Sequence, residues 1–206
     1  MTSKERLLNA LLHNPVDRVP VAGLVTAINK AAMEYAGVTF RKSLASAQKY
    51  AKLAAAPYDL YGLESIKLPF GMTVEAEILG AEIDFGDDFT LPQVRKPAFN
   101  RPGDFNIPVD LSTRGRIPLV RESVRLLQTT YGGRVAIVTS IVGPFTLAGM
   151  VFGLEQLFMW MMTEPQVYKQ CLECIDNGVD VLHAGCAWPP DVPHENAVAF
   201  AGAAQK

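Results

Sequence analysis

The chain has 206 residues, of which 49% are hydrophobic and 19% charged, and a formal net charge of −2 at pH 7; it can bury a substantial core and is no disordered tail. So small a net charge gives no electrostatic reason to expect nucleic acid or an anionic membrane as a partner, which leaves small molecules and proteins. Three cysteines argue against a disulfide framework, and the start around Lys4, Glu5 and Arg6 lacks a signal-peptide pattern, so a reducing, cytoplasmic setting is expected.

Thr2 and Glu5 have the spacing of a capping box, followed at helical spacing by Leu7, Leu8, Leu11 and Leu12, which predicts an opening helix stopped at Asn14-Pro15. Residues 18 to 25 are apolar and rich in β-branched side chains and predict a first buried strand. Helices are expected over about 27 to 36 and 41 to 55, the second ended by Pro57. A second strand is expected over residues 64 to 70. From Met72 to Leu79 polar and apolar side chains alternate. That predicts a strand carrying Glu75 and Glu77 side by side, roughly 7 Å apart, and a hairpin through Gly80-Ala81 that returns over residues 82 to 86. Two carboxylates so placed would position a substrate or support a metal site; a solvated hairpin face has the same pattern without a function.

Pro92, Pro97, Pro102 and Pro108 forbid a central strand or a long helix between residues 87 and 117, so a surface excursion with solvated basic residues is expected. Pro118 suits the first turn of a helix to about Thr130. The uncharged stretch from Val135 to Leu154 has the length of a membrane span. Its β-branched first half, its Gly143-Pro144 break and its continuation to Met162 predict instead a strand, a turn and one helix. Met159 to Met162 are expected in the core, a flexible cofactor pocket being the alternative. Thr163-Glu164-Pro165 opens a further helix, with Val167, Cys171, Leu172 and Ile175 inward and a stop at Asn177-Gly178. Residues 178 to 183 predict a last strand that presents Cys186 at its C-terminal tip, where parallel α/β folds hold ligands and metals.

Strands followed by helices define an α/β chain with a parallel sheet or barrel, although the core strands number four where a closed barrel has eight. No linker divides the chain, so residues 1 to 206 are expected to form a single domain. By spacing alone, Cys171-x2-Cys174 and His183-x2-Cys186 are plausible zinc ligands. Against that, Cys171 falls on an apolar stripe and His183 falls inside a strand, where neighbours point apart.

The run from Leu68 to Ala81 (Leu-Pro-Phe-Gly-Met-Thr-Val-Glu-Ala-Glu-Ile-Leu-Gly-Ala), the run from Gly143 to Ala148, Lys4-Glu-Arg-Leu-Leu with Asp17-Arg-Val-Pro20, and Gly178-Val-Asp-Val-Leu with Gly185-Cys186 resemble the uroporphyrinogen decarboxylase superfamily. Within it they are most similar to the methylcobalamin:coenzyme M methyltransferase branch. The resemblance implies an incomplete (β/α)8 TIM barrel with an inserted β-hairpin. Residues 1 to 175 would be its N-terminal part and residues 176 to 206 its last strand and the start of its last helix. It also implies a zinc ion that activates a small thiol, and a methylated corrinoid, as methylcobalamin or on a corrinoid protein, that gives the thiol its methyl group.

By the same resemblance Cys186 matches one zinc ligand, with Glu75 and Glu77 nearby as catalytic candidates. The branch takes its other two ligands from a His-x-Cys pair, and none of His13, His183 and His194 is followed by Cys two residues later. Impaired activity is therefore expected. A true uroporphyrinogen decarboxylase would carry a Met-Arg-Gln-Ala-Gly-Arg motif for its many-carboxylate substrate, where residues 21 to 27 read Val-Ala-Gly-Leu-Val-Thr-Ala, without arginine. A third reading is a non-catalytic, truncated barrel that self-associates through its open sheet edges.

Overall fold

The structure, a computed structural model, describes residues 1–23 and 25–183. The capping box closes: Glu5 N–H donates to Thr2 Oγ1 (3.2 Å) and Thr2 N–H to Glu5 Oε2 (2.7 Å), which starts α1 (Ser3–Leu11). Asn29, Thr39 and Ser46 cap α2 (Lys30–Ala36), α3 (Phe40–Ser43) and α4 (Ala47–Tyr61) in the same way, each side-chain oxygen accepting an otherwise orphaned N–H. The stop expected at Pro57 does not occur. Leu53, Ala54 and Pro57 form part of one buried face of α4, and this packing carries the helix past the lost N–H until Gly62, at φ 69°, ends it.

Next in order come β1 (Ser65–Leu68), α5 (Val74–Ile78), β2 (Glu82–Asp84), β3 (Gln93–Lys96), α6 (Ile117–Tyr131) and β4 (Ala136–Thr139). The described chain ends with α7 (Pro144–Phe152), α8 (Leu154–Thr163) and α9 (Pro165–His183). β1 and β4 pair in parallel, Ser65 opposite Ala136 and Leu68 opposite Thr139. Ile66 and Leu68 are buried in a core with side chains of α2, α4 and α6; the pleat turns Ser65 and Lys67 to the other face, with Ala136 and Val138 beside them. This is part of a barrel wall with its helices outside. A second core joins Ile78 of α5 to Leu147, Val151, Leu157, Trp160, Cys171 and Ile175 of α7, α8 and α9.

Several expectations are corrected. Within the span 18 to 25 the described residues, 18 to 23 and 25, form no strand. They run beside β1, with Glu64 N–H donating to Val21 O (2.8 Å) and Ser65 Oγ to Gly23 O (3.0 Å). Pro20 has no N–H for a ladder, and Val21 gives its N–H to the Glu64 carboxylate (2.9 Å). Val19, Val21 and Val25 stay exposed. The predicted strand from Met72 is the helix α5: a short alternating run also fits helical spacing, and Val74 and Ile78, one turn apart, are both buried. The antiparallel hairpin exists with other strands, β2 against β3 with an irregularity at Glu82/Ile83. The proline-rich excursion thus supplies a strand, and its Phe99 and Phe105 pack on Phe152 at ring distances of 5.7 and 6.3 Å.

The helix expected to run on to Met162 breaks at Gly153, φ 93°, where α7 and α8 meet at 104°; the bend brings Leu157 and Trp160 back onto Leu147 and Val151. No single helix among the described residues is long and apolar enough to cross a membrane. Finally, α9 continues through the expected stop at Asn177-Gly178 to His183, so residues 178 to 183 are helical and not a strand. In the sequence, apolar residues 171, 175, 179 and 182 recur at helical spacing, and a parallel strand needs a neighbour to pair with. Cys186 and His194 lie outside the described residues.

At the N-terminal end of β1 a buried ion network fixes α1 to the sheet. The Glu64 carboxylate accepts Arg6 Nη1, both Arg18 terminal nitrogens (2.9 and 3.0 Å) and Val21 N–H; Arg6 also holds Asp17 through Nε (2.6 Å). Burial pushes the Glu64 carboxyl up, but Val21 N–H, Arg18 and Arg6 outweigh it and leave it below its ordinary value. The Arg6 hydrogen bond holds Asp17 far below its own. Carboxyls depressed in the folded state stabilise it above their unfolded pKa, and that contribution is lost as pH falls through the depressed values. Unfolding midpoints in denaturant should therefore drop below about pH 4. Glu64→Gln should lower the midpoint at neutral pH and flatten this acid limb; an unchanged acid limb would contradict the assignment.

Candidate functional site

Parallel pairing delivers the ends of β1 and β4 to the same side of the sheet, where barrel folds place their chemistry. Ser140 N–H donates to Leu68 O (3.3 Å), carrying the pairing one residue beyond β4. From there one strand leads through Pro69 to Thr73 into α5 and the other through Ile141 to Gly143 into α7. Tyr50 supports the first loop: its hydroxyl accepts Phe70 N–H (2.8 Å) and its ring stacks on Phe70 at 4.2 Å. Burial pushes that hydroxyl up to about 12.

Glu75 joins the two loops. It is buried, and its Oε1 accepts Val142 N–H (3.1 Å), while Oε2 is buried without a partner among the described residues. Burial pushes its carboxyl above the ordinary value, although hydrogen bonds from its own N–H and that of Val142, and the charges of Arg116 and Lys67, act the other way. Glu77 stands two residues on, which on a helix is about 200° round. It therefore meets a different partner, Arg116, whose Nε donates to Glu77 Oε2 (2.5 Å) and whose Nη2 donates to Thr73 Oγ1 (2.6 Å). The expected side-by-side carboxylates are thus two separate anchors on one short helix.

Arg116 is the residue that sequence reasoning misses, since it stands in the proline-rich stretch, where basic residues are expected to be solvated. It is buried, its Nη1 has no partner among the described residues, and its guanidinium carbon lies 5.4 Å from the Phe85 ring centroid, a cation–π contact. The available signal was its place directly before α6, where the helix dipole disfavours a cation and an anionic partner is called for. Gly115 makes the approach possible: its φ is 49°, and a Cβ there would stand 2.9 Å from Glu77 Cδ.

Lys67 is the one charged side chain of β1 and β4, on the face turned away from α2, α4 and α6. Its Nζ donates to Pro69 O (2.8 Å). Burial pushes the ammonium down, opposed by the Glu75 charge. The mouth so formed offers a cation, a carboxyl displaced toward its neutral form, and a clamped Arg116–Glu77 pair that fixes α5 to α6.

The described residues do not fit a zinc ion. No group of three or more His, Cys, Asp or Glu side chains among them is placed to hold a metal. Cys171 is fully buried in the second core. Burial, and then Cys174, push its thiol up to about 11, and burial also raises Cys174, the reverse of what a thiolate ligand requires. The four-residue set with His183 and Cys186 thus has no counterpart in the part that is described, and Cys186 falls outside it.

A family model described as uroporphyrinogen decarboxylase (URO-D) matches residues 2–179. The chain is 33% identical over 173 residues to the methylcobamide:CoM methyltransferase MtaA of Methanosarcina barkeri, covering 84% of this chain and 51% of the relative. It is 35% identical to the methylcobamide:CoM methyltransferase MtbA of Methanosarcina acetivorans, covering 88% and 57%. Identity to a uroporphyrinogen decarboxylase of Pelobacter propionicus is 29%, covering 82% and 52%. A solved methyltransferase from Methanosarcina mazei superimposes with a TM-score of 0.80 at 32% identity, covering 85% of this chain and 52% of the other. The chain spans about half the length of the curated relatives it matches.

Glu75→Gln provides a test of the mouth. The amide oxygen keeps the acceptor for Val142 N–H while removing a charge that burial disfavours. A carboxyl whose folded pKa is raised costs stability as pH rises from about 4.5 through the folded value. Relative to the native chain, the variant should gain stability across that range and hold the gain above it, in denaturant melts taken at successive pH values. Glu75→Leu, which strands Val142 N–H, should cost about 1–3 kcal/mol.

Proposed function

The chain belongs to the uroporphyrinogen decarboxylase family, and from that premise we propose that it serves methyl transfer from a methylated corrinoid to a small thiol. The observation that carries this reading is the graded likeness, 33% and 35% identity to methylcobamide:CoM methyltransferases against 29% to a decarboxylase over comparable spans. Charge supports it. A substrate with many carboxylates calls for several cations, whereas residues 21 to 27 contain no arginine and, among the described residues, Lys67 is the one charged side chain of β1 and β4. In such a transfer a thiolate sulfur attacks the methyl carbon, the S–C bond forms as the Co–C bond breaks, and that electron pair leaves with cobalt. The thiol proton goes to a base beforehand.

Glu75 and Glu77 are proposed as positioning residues: one holds the turn after β4 on α5, the other holds α5 on Arg116, and together they shape the mouth that the thiol enters. Cys186 is proposed, from the family resemblance, as a thiolate ligand of zinc. The described thiols do not fit zinc, and a His-x-Cys pair is absent from the sequence. The proposed donor is methylcobalamin or a corrinoid protein, and the proposed acceptor is coenzyme M, after which the relatives are named.

The chain by itself should therefore produce no methylated coenzyme M from methylcobalamin and should carry no stoichiometric zinc; turnover lost in Cys186→Ser would overturn this. A chimera in which the remaining barrel segment of the Methanosarcina barkeri relative is inserted after Ile175 tests the class itself. It is expected to demethylate methylcobalamin with coenzyme M and to leave uroporphyrinogen untouched, and decarboxylation by the chimera would decide for the other branch. Among the described residues β4 pairs only with β1, and that edge and the exposed Val19, Val21 and Val25 support self-association of the isolated chain. Light scattering should give a mass above one chain, and a monomer at all concentrations would rule this out.

A further inference from the structure

We propose that the groove beside β1 binds the anionic end group of a small organic molecule, a sulfonate or carboxylate on a short stem, with Lys67 supplying the charge. The thiol-transfer reading identifies which molecule would carry that group; the site itself is argued from the groove. Its walls include Gly23, Thr26, Ala27, Ile28 and Ser65, and Lys67 stands among them. The space is about 250 Å3, part of it open to solvent, which suits an end group rather than a whole substrate.

Lys67 has donors to spare. An ammonium carries three N–H groups, and Pro69 O takes one. No carboxylate forms an ion pair with it among the described residues, in contrast with Arg6 and Arg116, which are both matched. The Ser65 hydroxyl, its neighbour on the same face, is already committed to Gly23 O. Half-burying an ammonium is unfavourable without an anion, and an arriving anion would offset that cost. Glu75 lies near enough to oppose the downward push on Lys67, but its Oε1 bonds to Val142 N–H. One cation matches one anionic group.

The experiment reads lysine modification in the native chain, by reductive methylation and mass spectrometry at constant ionic strength. Ethanesulfonate, propionate, 2-mercaptoethanesulfonate and uncharged propan-1-ol are the probes. Each anion that binds, at twice its half-saturating concentration, should slow modification of Lys67 about threefold, while the exposed Lys49 and Lys52 react unchanged and propan-1-ol protects nothing. The sulfonate and propionate arms tell which acid the groove prefers. In Lys67→Met, folded by its melt, probe affinity measured by NMR titration should fall at least about tenfold, and Lys67→Arg should restore part of it. Equal protection by propan-1-ol, absence of protection by every anion, or full affinity in Lys67→Met would overturn the proposal. Ethanesulfonate has no thiol, so its binding stands or falls separately from methyl transfer.

Discussion

Pairing β1 with β4 in parallel obliges the chain to leave the sheet at one end and re-enter it at the other, and residues 69 to 135 are arranged by that crossing. α6 makes the return and covers the outer face with α4; α5 and the β2–β3 hairpin occupy the space at the strands' C-terminal ends. Because the two strands point the same way, the loops that follow them emerge together, and a single side chain, Glu75, reaches from one to the other. The second core then stacks α7, α8 and α9 against α5, so its placement depends on the same junction.

The two ends of β1 treat buried charge differently. At the N-terminal end Glu64 is surrounded by Arg6, Arg18 and Val21 N–H, an arrangement that fixes α1 and leaves little for a ligand to bond. At the C-terminal end Glu75 Oε2 and Arg116 Nη1 remain without partners among the described residues. Buried polar atoms left open are costly, and a fold keeps such atoms where they serve something other than stability. The contrast follows the division of barrel folds into a stabilising face and a chemical face.

Much of the helical frame was legible in the sequence because its signals are local: the Thr2–Glu5 capping box, Pro118 in the first turn of α6, and the breaks at Asn14-Pro15 and Gly143-Pro144. β1 and β4 were legible as apolar β-branched runs. What was not legible depended on partners. Residues 18 to 25 look like a buried strand, yet Pro20 and the capture of Val21 N–H by Glu64 prevent a ladder. Residues 72 to 79 satisfy both a two-residue and a helical period over so short a run, and contacts of Val74 and Ile78 settle it. Glu75 and Glu77 were found as candidates, but on the wrong element, so their separate roles were hidden. Arg116 needed a carboxylate 39 positions away in sequence, which no local pattern reveals.

The family assignment and the structure meet at the mouth, where the motif from Leu68 to Ala81 folds into the loop and helix that carry Glu75. The central claim is that this carboxyl couples the loop after β1 to the loop after β4. Amide hydrogen exchange at Val142 tests it most directly. The Val142 amide should exchange slowly in the native chain, stay protected in Glu75→Gln, and lose protection selectively in Glu75→Leu while Ser140, bonded to Leu68 O, keeps its own. A Val142 amide that exchanges equally in all three proteins would contradict the coupling.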